Sequence, residues 1–223
     1  MKPGTEAIFL LSAGLIGAWM VSVAVATNAH AQSTAGVSHA QKMHAEPVAE
    51  RDADLRRSEA RYVIPSVTLV RQDGKSVNLP AELDDGRAVV LNFIYTSCTT
   101  ICPMSSQSFE QFQEQLGAAR DSVHLVSISI DPEQDTPARL RDYAAQFHAQ
   151  RGWDHYSGSL SAVLSVERAM NAYRGAKMTH TPLTLMRAAP GKEWIRFDGF
   201  ARADELMVER RAWESTRAAL VAR

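Results

Sequence analysis

Two internal stretches of the chain stand out for their apolar residues. Ala88-Val-Val-Leu-Asn-Phe-Ile-Tyr95 is almost uninterrupted, and Ser122-Val-His-Leu-Val-Ser-Ile-Ser-Ile130 sets five β-branched or leucine residues among small serines and one histidine. They predict strands buried on both faces. A helical period follows the first, with Pro103 opening a segment in which Phe109, Phe112 and Leu116 recur on one side. After the second, Asp131-Pro132 ends the strand, and Asp135-Thr136-Pro137 supplies a cap and first-turn proline for a helix through Phe147. Trp153 to Tyr156 predicts a short strand. Leu160, Val163, Leu164 and Tyr173 mark a third helix stopped near Gly175, and Leu206, Trp213 and Leu220 mark a last amphipathic one. Two hairpins complete the pattern. One joins Tyr62–Val70, kept at an edge or a bulge by Pro65, to Ser76–Leu79 through Gln72–Lys75; the other joins Leu183–Met186 to Glu193–Phe197.

Strand, helix, strand, helix, then hairpin and helix is an α/β order, with a central mixed sheet covered by helices on both faces and an added N-terminal hairpin. It is the order of a thioredoxin-like fold. In open α/β sheets reactive groups gather where loops leave the carboxyl ends of the strands. The loop after Tyr95 leaves such an end. By likeness to thioredoxin-like proteins, the segment His180-Thr181-Pro182 before the next strand lies across from it.

The amino-terminal part is organised differently. Lys2 precedes an apolar run from Ala7 to Ala26 and then Ala29-His30-Ala31, an A-x-A pattern. Residues 1–31 are therefore expected to be an export signal or, since about 20 apolar residues suffice to span a bilayer, an uncleaved membrane anchor. Either places the remainder outside the cytoplasm, in a periplasm, where cysteine pairs can oxidise. Residues 32–58 hold almost no large apolar side chain and read as a flexible linker; His39, Met43 and His44 there, with His30 just before, are soft or borderline metal ligands without fixed geometry. Residues 59–223 form the expected domain, one core being the default for a chain of 223 residues. A formal charge of -1 offers no electrostatic footprint for nucleic acid.

Chemistry concentrates at Cys98 and Cys102, the chain's two cysteines. They are too few for a disulfide scaffold, and a single close pair points to redox or metal chemistry. Set between a strand and a helix N-terminus, a sulfur feels unsatisfied N–H groups, which favour its thiolate. Four-residue spacing lets the two sulfurs chelate one ion or form a disulfide. Two thiolates suit Cu(I), and an added imidazole makes a set that holds Cu(II) as well; zinc is the competing metal, but a closed structural zinc site wants a fourth strong ligand. Only the reduced pair binds metal, so such a site is redox-gated.

Three features together, Cys98-x-x-x-Cys102-Pro103, Ser127-Ile-Ser-Ile-Asp131-Pro132-Glu133-x-Asp135-Thr136 and a downstream His180 followed by Thr, resemble the Sco/SenC family over about Tyr62 to Gly199. Between its cysteines the chain carries Thr99, Thr100 and Ile101, where that family often has a proline and an acidic residue. The resemblance implies a membrane-tethered, thioredoxin-like copper protein that assists assembly of the dinuclear copper centre of cytochrome c oxidase, with Cys98, Cys102 and His180 as copper ligands. It also implies a copper-receiving oxidase subunit or copper chaperone and a thiol-disulfide reductant as partners. Two other readings use the same cysteines. A periplasmic thiol-disulfide oxidoreductase acting on a copper-receiving protein needs Cys98 and Cys102 as its redox pair but not His180; a peroxidase needs one activated cysteine, and lacks its usual preceding proline here. Asp131 reads as a turn residue or as a partner of His180, His124 as structural, and His148 and His155 as surface residues. Trp153, Trp194 and Trp213 read as core or core edge.

Overall fold

The computed structural model describes residues 55–221, with side chains through Thr216. The signal or anchor segment, linker residues 32–54 and the ligand-type residues His30, His39, Met43 and His44 lie outside the described residues, as does the side chain of Leu220. Eight strands form one sheet. They are β1 (Arg56–Ala60), β2 (Thr68–Arg71), β3 (Ser76–Asn78), β4 (Ala88–Ile94), β5 (Val123–Ser129), β6 (Trp153–Gly158), β7 (Leu183–Arg187) and β8 (Trp194–Asp198), in the spatial order β1-β8-β7-β4-β5-β6-β2-β3. Among the described residues five α-helices accompany them: α1 (Leu79–Leu83), α2 (Ile101–Leu116), α3 (Pro137–Gln146), α4 (Leu160–Ala169) and α5 (Ala203–Val221).

The two apolar runs are the centre of the sheet. β4 and β5 pair in parallel from Ala88↔Val123 to Ile94↔Ser129, β6 continues the parallel set, and β7 pairs antiparallel on the other side of β4. Alternate residues of β4 feed opposite cores. Val90 and Ile94 pack with Phe109, Phe112 and Leu116 of α2 and Leu206 of α5, while Val89, Leu91 and Phe93 pack with Val163 and Val166 of α4 and Leu79 and Leu83 of α1. Each fully enclosed phenylalanine or leucine contributes about 1.5–3 kcal/mol of burial, so the α2 stripe alone ties that helix firmly to the sheet. The fold is thioredoxin-like, mixed and two-sided.

Several boundaries differ from the sequence pattern. The stretch expected to be one strand from Tyr62 is laddered only over Thr68–Arg71, and it pairs with β3 and β6 at one edge; Pro65 instead accepts from the Val67 N–H outside the ladder. At the opposite edge Arg56–Ala60 pairs with β8, so Arg56, Arg57 and Ser58, read as linker, are sheet residues. The ladder there needs only backbone groups, and its outer face is exposed, so no apolar alternation announces it. The third helix stops at Ala169, because Asn171 takes a φ of 49° that no helix continues through. His155 is the clear correction: it is wholly buried on β6, stacked on Trp153 with ring centroids 5.2 Å apart, rather than a surface residue. His148 is exposed beside Glu110; Trp153 and Trp194 are buried and Trp213 packs partly on the core.

Topology gathers the site at one end of the sheet. β4 and β5 are parallel, so the loops after Ile94 and Ser129 leave together; β7 is antiparallel to β4, so the segment before Leu183 arrives at that same end.

Candidate metal and thiol site

α2 begins at Ile101, two residues before the expected proline, and places Cys102 inside its first turn. Its cap residue Thr100 makes no side-chain bond to the first-turn N–H groups. The sulfur of Cys98 takes that place, accepting from the Cys102 N–H at 3.4 Å, while the Cys98 N–H donates to the Tyr95 carbonyl at 3.1 Å and closes the turn. The positive end of a helix is thus aimed at one sulfur. Burial works against the Cys98 thiolate, but the N–H groups of Cys102 and Thr100 and the Tyr95 hydroxyl outweigh it and bring the thiol down to about 7. Cys102, at 1 % exposure, is the reverse: burial pushes its thiol far up, and the neighbouring Cys98 and Asp135 push in the same direction. One ready thiolate and one protonated, enclosed thiol result. Both are free cysteines.

The loop is held from below by a residue that the sequence pattern made only a helix cap. Asp135, 1 % exposed, accepts from the Thr96 N–H at 3.0 Å, the Thr96 hydroxyl at 2.5 Å and the Ser129 hydroxyl at 2.6 Å. The Ser129 oxygen in turn accepts from the Asp131 N–H at 3.0 Å. Thr136 beside it is the actual cap of α3. Asp135 therefore ties the start of the cysteine loop to the end of β5. Asp131 is buried too, and its partner is Lys177, not His180. That ion pair fastens the short 3-10 turn Lys177–Thr179, which immediately precedes His180, and the Lys177 ammonium also sits 5.7 Å from the centre of the Tyr95 ring.

His180 is half-buried and directs Nε2 at the Phe93 carbonyl, 3.0 Å away. A carbonyl only accepts, so Nε2 carries the proton and Nδ1 keeps its lone pair. Burial lowers the His180 pKa, which favours the neutral, ligating form. Its imidazole borders a cavity of about 250 Å³ between α4 and the Arg174–Lys177 loop; neither cysteine lines that cavity. The ligand atoms of Cys98, Cys102 and His180 do not all lie within 4.8 Å of one another.

Among the described residues one trio brings ligand atoms within 4.8 Å of one another, Glu82, His124 and Asp154, at the far end of the parallel strands. It is occupied by protein. The Tyr156 hydroxyl bonds Glu82 at 3.0 Å and His124 Nε2 at 3.2 Å, and Arg71 bonds Glu82 at 3.2 Å. His124 is thus a structural residue of a hydrogen-bond network, as its place inside a strand suggests.

Known proteins resemble this chain in sequence and fold. Bacillus subtilis SCO1 protein homolog is 36% identical over 98 residues, which cover 44% of this chain and 50% of that protein; the match thus spans about half the relative's length. Among solved structures, BsSco, described as a member of the Sco family of cytochrome c oxidase assembly proteins with a disulfide switch, superposes with a TM-score of 0.59 at 26% identity, covering 71% of this chain and 96% of that one. Bradyrhizobium japonicum ScoI, solved with copper bound, gives 0.57 at 25% identity over 68% of this chain and 99% of that one. The SCO1/SenC family profile matches residues 56–193, from the first strand of the sheet to the turn before β8, and the chain belongs to the SCO1/SenC family.

Proposed function

We propose that this protein carries copper through Cys98, Cys102 and His180 and supports maturation of a copper centre in cytochrome c oxidase or a related terminal enzyme. The observation that carries the reading is the convergence, at one end of the sheet, of a helix-stabilised Cys98 sulfur, the Cys102 thiol four residues on and an imidazole whose Nδ1 is free to ligate. The donor set is soft enough for Cu(I), and the imidazole extends it to Cu(II). Loading requires Cys102 to lose its proton and the three ligand atoms to close on the ion, so the ion is the cargo that completes its own site, while the Phe93 carbonyl can go on holding the His180 Nε2 proton. Copper-bound ScoI from Bradyrhizobium japonicum supports the cargo, and the family description of BsSco supports the client. The A-x-A pattern before Gln32 supports work outside the cytoplasm, where a copper-receiving oxidase subunit or copper chaperone and a thiol reductant are the partners.

The unequal thiols favour one second reading. A low-pKa Cys98 thiolate can attack a partner's disulfide sulfur; Cys102 then loses its proton and displaces the partner, which leaves reduced by two electrons while Cys98 and Cys102 become a disulfide. His180→Ala separates the two. It removes an imidazole ligand and leaves both thiols, so copper retention and rescue of oxidase assembly in cells lacking the protein should fail almost as completely as with Cys98→Ser. Full rescue by His180→Ala at ordinary copper would sink the copper reading and leave thiol exchange.

A further inference from the structure

One sulfur at this end of the molecule has no role in either reading. Met178 is 77% exposed, far more than a methionine needs to be when a core is close by. It is also not a loose tip. Its short turn is fastened before it by the Lys177–Asp131 ion pair and after it by the Thr179 hydroxyl, which donates to the Arg174 carbonyl at 2.6 Å and lies 2.7 Å from the Ala176 carbonyl. The thioether is placed. The Tyr95 hydroxyl reaches Met178 Sδ at 3.7 Å, and the Tyr95 carbonyl accepts from the Cys98 N–H at 3.1 Å, so one residue links the thioether to the cysteine turn. His180, the imidazole ligand of the copper reading, stands two residues after Met178.

A fixed, exposed thioether two residues before an imidazole and bonded to the residue that opens the cysteine turn is a soft ligand near a soft site. We propose that the Met178 thioether is the first ligand to take an incoming Cu(I) ion, which then passes to the Cys98 sulfur in the turn that Tyr95 opens. This rests on the copper reading above. The transfer is ligand exchange without change of oxidation state: the donor's thiolate leaves with its charge, the neutral thioether takes its place, and the Cys98 thiolate then displaces the thioether. Because a thioether has no proton to lose, the first contact does not wait on deprotonation. It also does not require the enclosed Cys102 to be reached from solvent. Apolar contact with a docking protein is the rival use of the side chain, and leucine preserves that contact while removing the sulfur.

The test uses the full chain, reduced and labelled at the methionine methyl carbons, with Cu(I) supplied as its complex with a small thiol. Met178→Leu identifies the Met178 resonance by difference and serves as the kinetic variant; its side chain is exposed, so the fold is not at stake, and the copper-free melting temperature checks this. In wild type the Met178 methyl resonance should move at substoichiometric Cu(I). In the Cys98→Ser/Cys102→Ser protein it should still move, at higher copper, because the thioether is the ligand left. Met178→Leu should load about tenfold more slowly, as a lost contact of about 1.4 kcal/mol in the first complex converts, yet reach the same final stoichiometry. Loading of Met178→Leu at the wild-type rate, or a Met178 methyl that stays still in the double serine protein, overturns the proposal while leaving the Cys98–Cys102–His180 site standing. A wild-type chain that takes up no Cu(I) overturns the copper reading itself.

Discussion

The unequal thiols make a sharp kinetic prediction. With its pKa at about 7, Cys98 is half thiolate at neutral pH, whereas an ordinary thiol near 8.5 is ionised only to about 3%. That is a gain of roughly 15-fold in reactive species, but a less basic sulfur is a poorer nucleophile. With a Brønsted slope of about 0.4–0.5 across a difference of about 1.5 units, intrinsic reactivity falls roughly fivefold. Alkylation of Cys98 by iodoacetamide in the Cys102→Ser protein should therefore run only about threefold faster than a model thiol at pH 7, but with its half-rise near pH 7 instead of about 8.5. The midpoint, not the rate, is the signature. In Cys98→Ser the remaining Cys102 should resist alkylation to well above neutral pH, because burial, the main cause of its raised pKa, survives the substitution. Rates followed by intact mass from pH 5 to 10 decide the matter. A Cys98 midpoint at the ordinary thiol value, or a Cys102 that reacts alongside it, would refute the claim that the first turn of α2 stabilises one sulfur and not the other.

Two further predictions concern the support beneath the site. Asp135→Ala strands the Thr96 N–H and two hydroxyls that the carboxylate now accepts from, and should lower stability by about 2–5 kcal/mol in urea unfolding; Asp135→Asn, which keeps one acceptor and lets the hydroxyls reorient, should cost clearly less, and equal costs would refute the network. His155 is enclosed with both ring nitrogens unpartnered, and burial holds its pKa at about 4, below the ordinary 6.5. The unfolded chain then binds a proton that the native chain refuses between these values, so about 3 kcal/mol of stability present above pH 6.5 is lost as pH falls towards 4. His155→Phe keeps a ring against Trp153 and Tyr143 and should flatten that part of the pH–stability curve; an unchanged slope in chemical denaturation would show that other groups set it.

Legibility from sequence followed the physics of each signal. Burial writes itself into composition, so β4, β5 and the α2 stripe of Phe109, Phe112 and Leu116 are readable directly, and with them the architecture. Edge strands do not. β1 is built from Arg, Ser and Glu because its exposed face needs no apolar side chain and its ladder to β8 is made by backbone groups. His155 misleads for a related reason: its histidine is polar by type, and only its position on β6 in register with Ser127 reveals that it points into the core between Trp153 and Tyr143. At the site, Cys98 and Cys102 are visible because their type and spacing carry the chemistry. Asp135 is hidden because Asp-Thr-Pro is also a good helix start, and local sequence does not distinguish an aspartate that caps from one that turns inward to Thr96. Met178 and Lys177 offer no signal at all until the fold brings their turn against Tyr95 and Asp131.

The same supports explain how one site can keep two chemistries apart. Asp135 fixes the cysteine loop to β5, and Lys177 fixes the histidine loop to Asp131 one turn away, so both loops are anchored to the segment that follows a single strand. Between those anchors stands the His180 side chain, bonded to Phe93. With the imidazole there, Cys98 is a thiolate with a protonated partner, which is the arrangement thiol exchange needs. In the proposed copper reading, copper takes the imidazole through Nδ1 and strips the Cys102 proton, and in doing so removes both the free nucleophile and the free resolving thiol. The Nε2–H bond to Phe93 is compatible with that and fixes the tautomer that ligates. The copper-loaded protein should therefore be inert to iodoacetamide at Cys98 under conditions where the copper-free protein is modified, and modification of Cys98 at an undiminished rate in the loaded state would show that its sulfur is not a ligand.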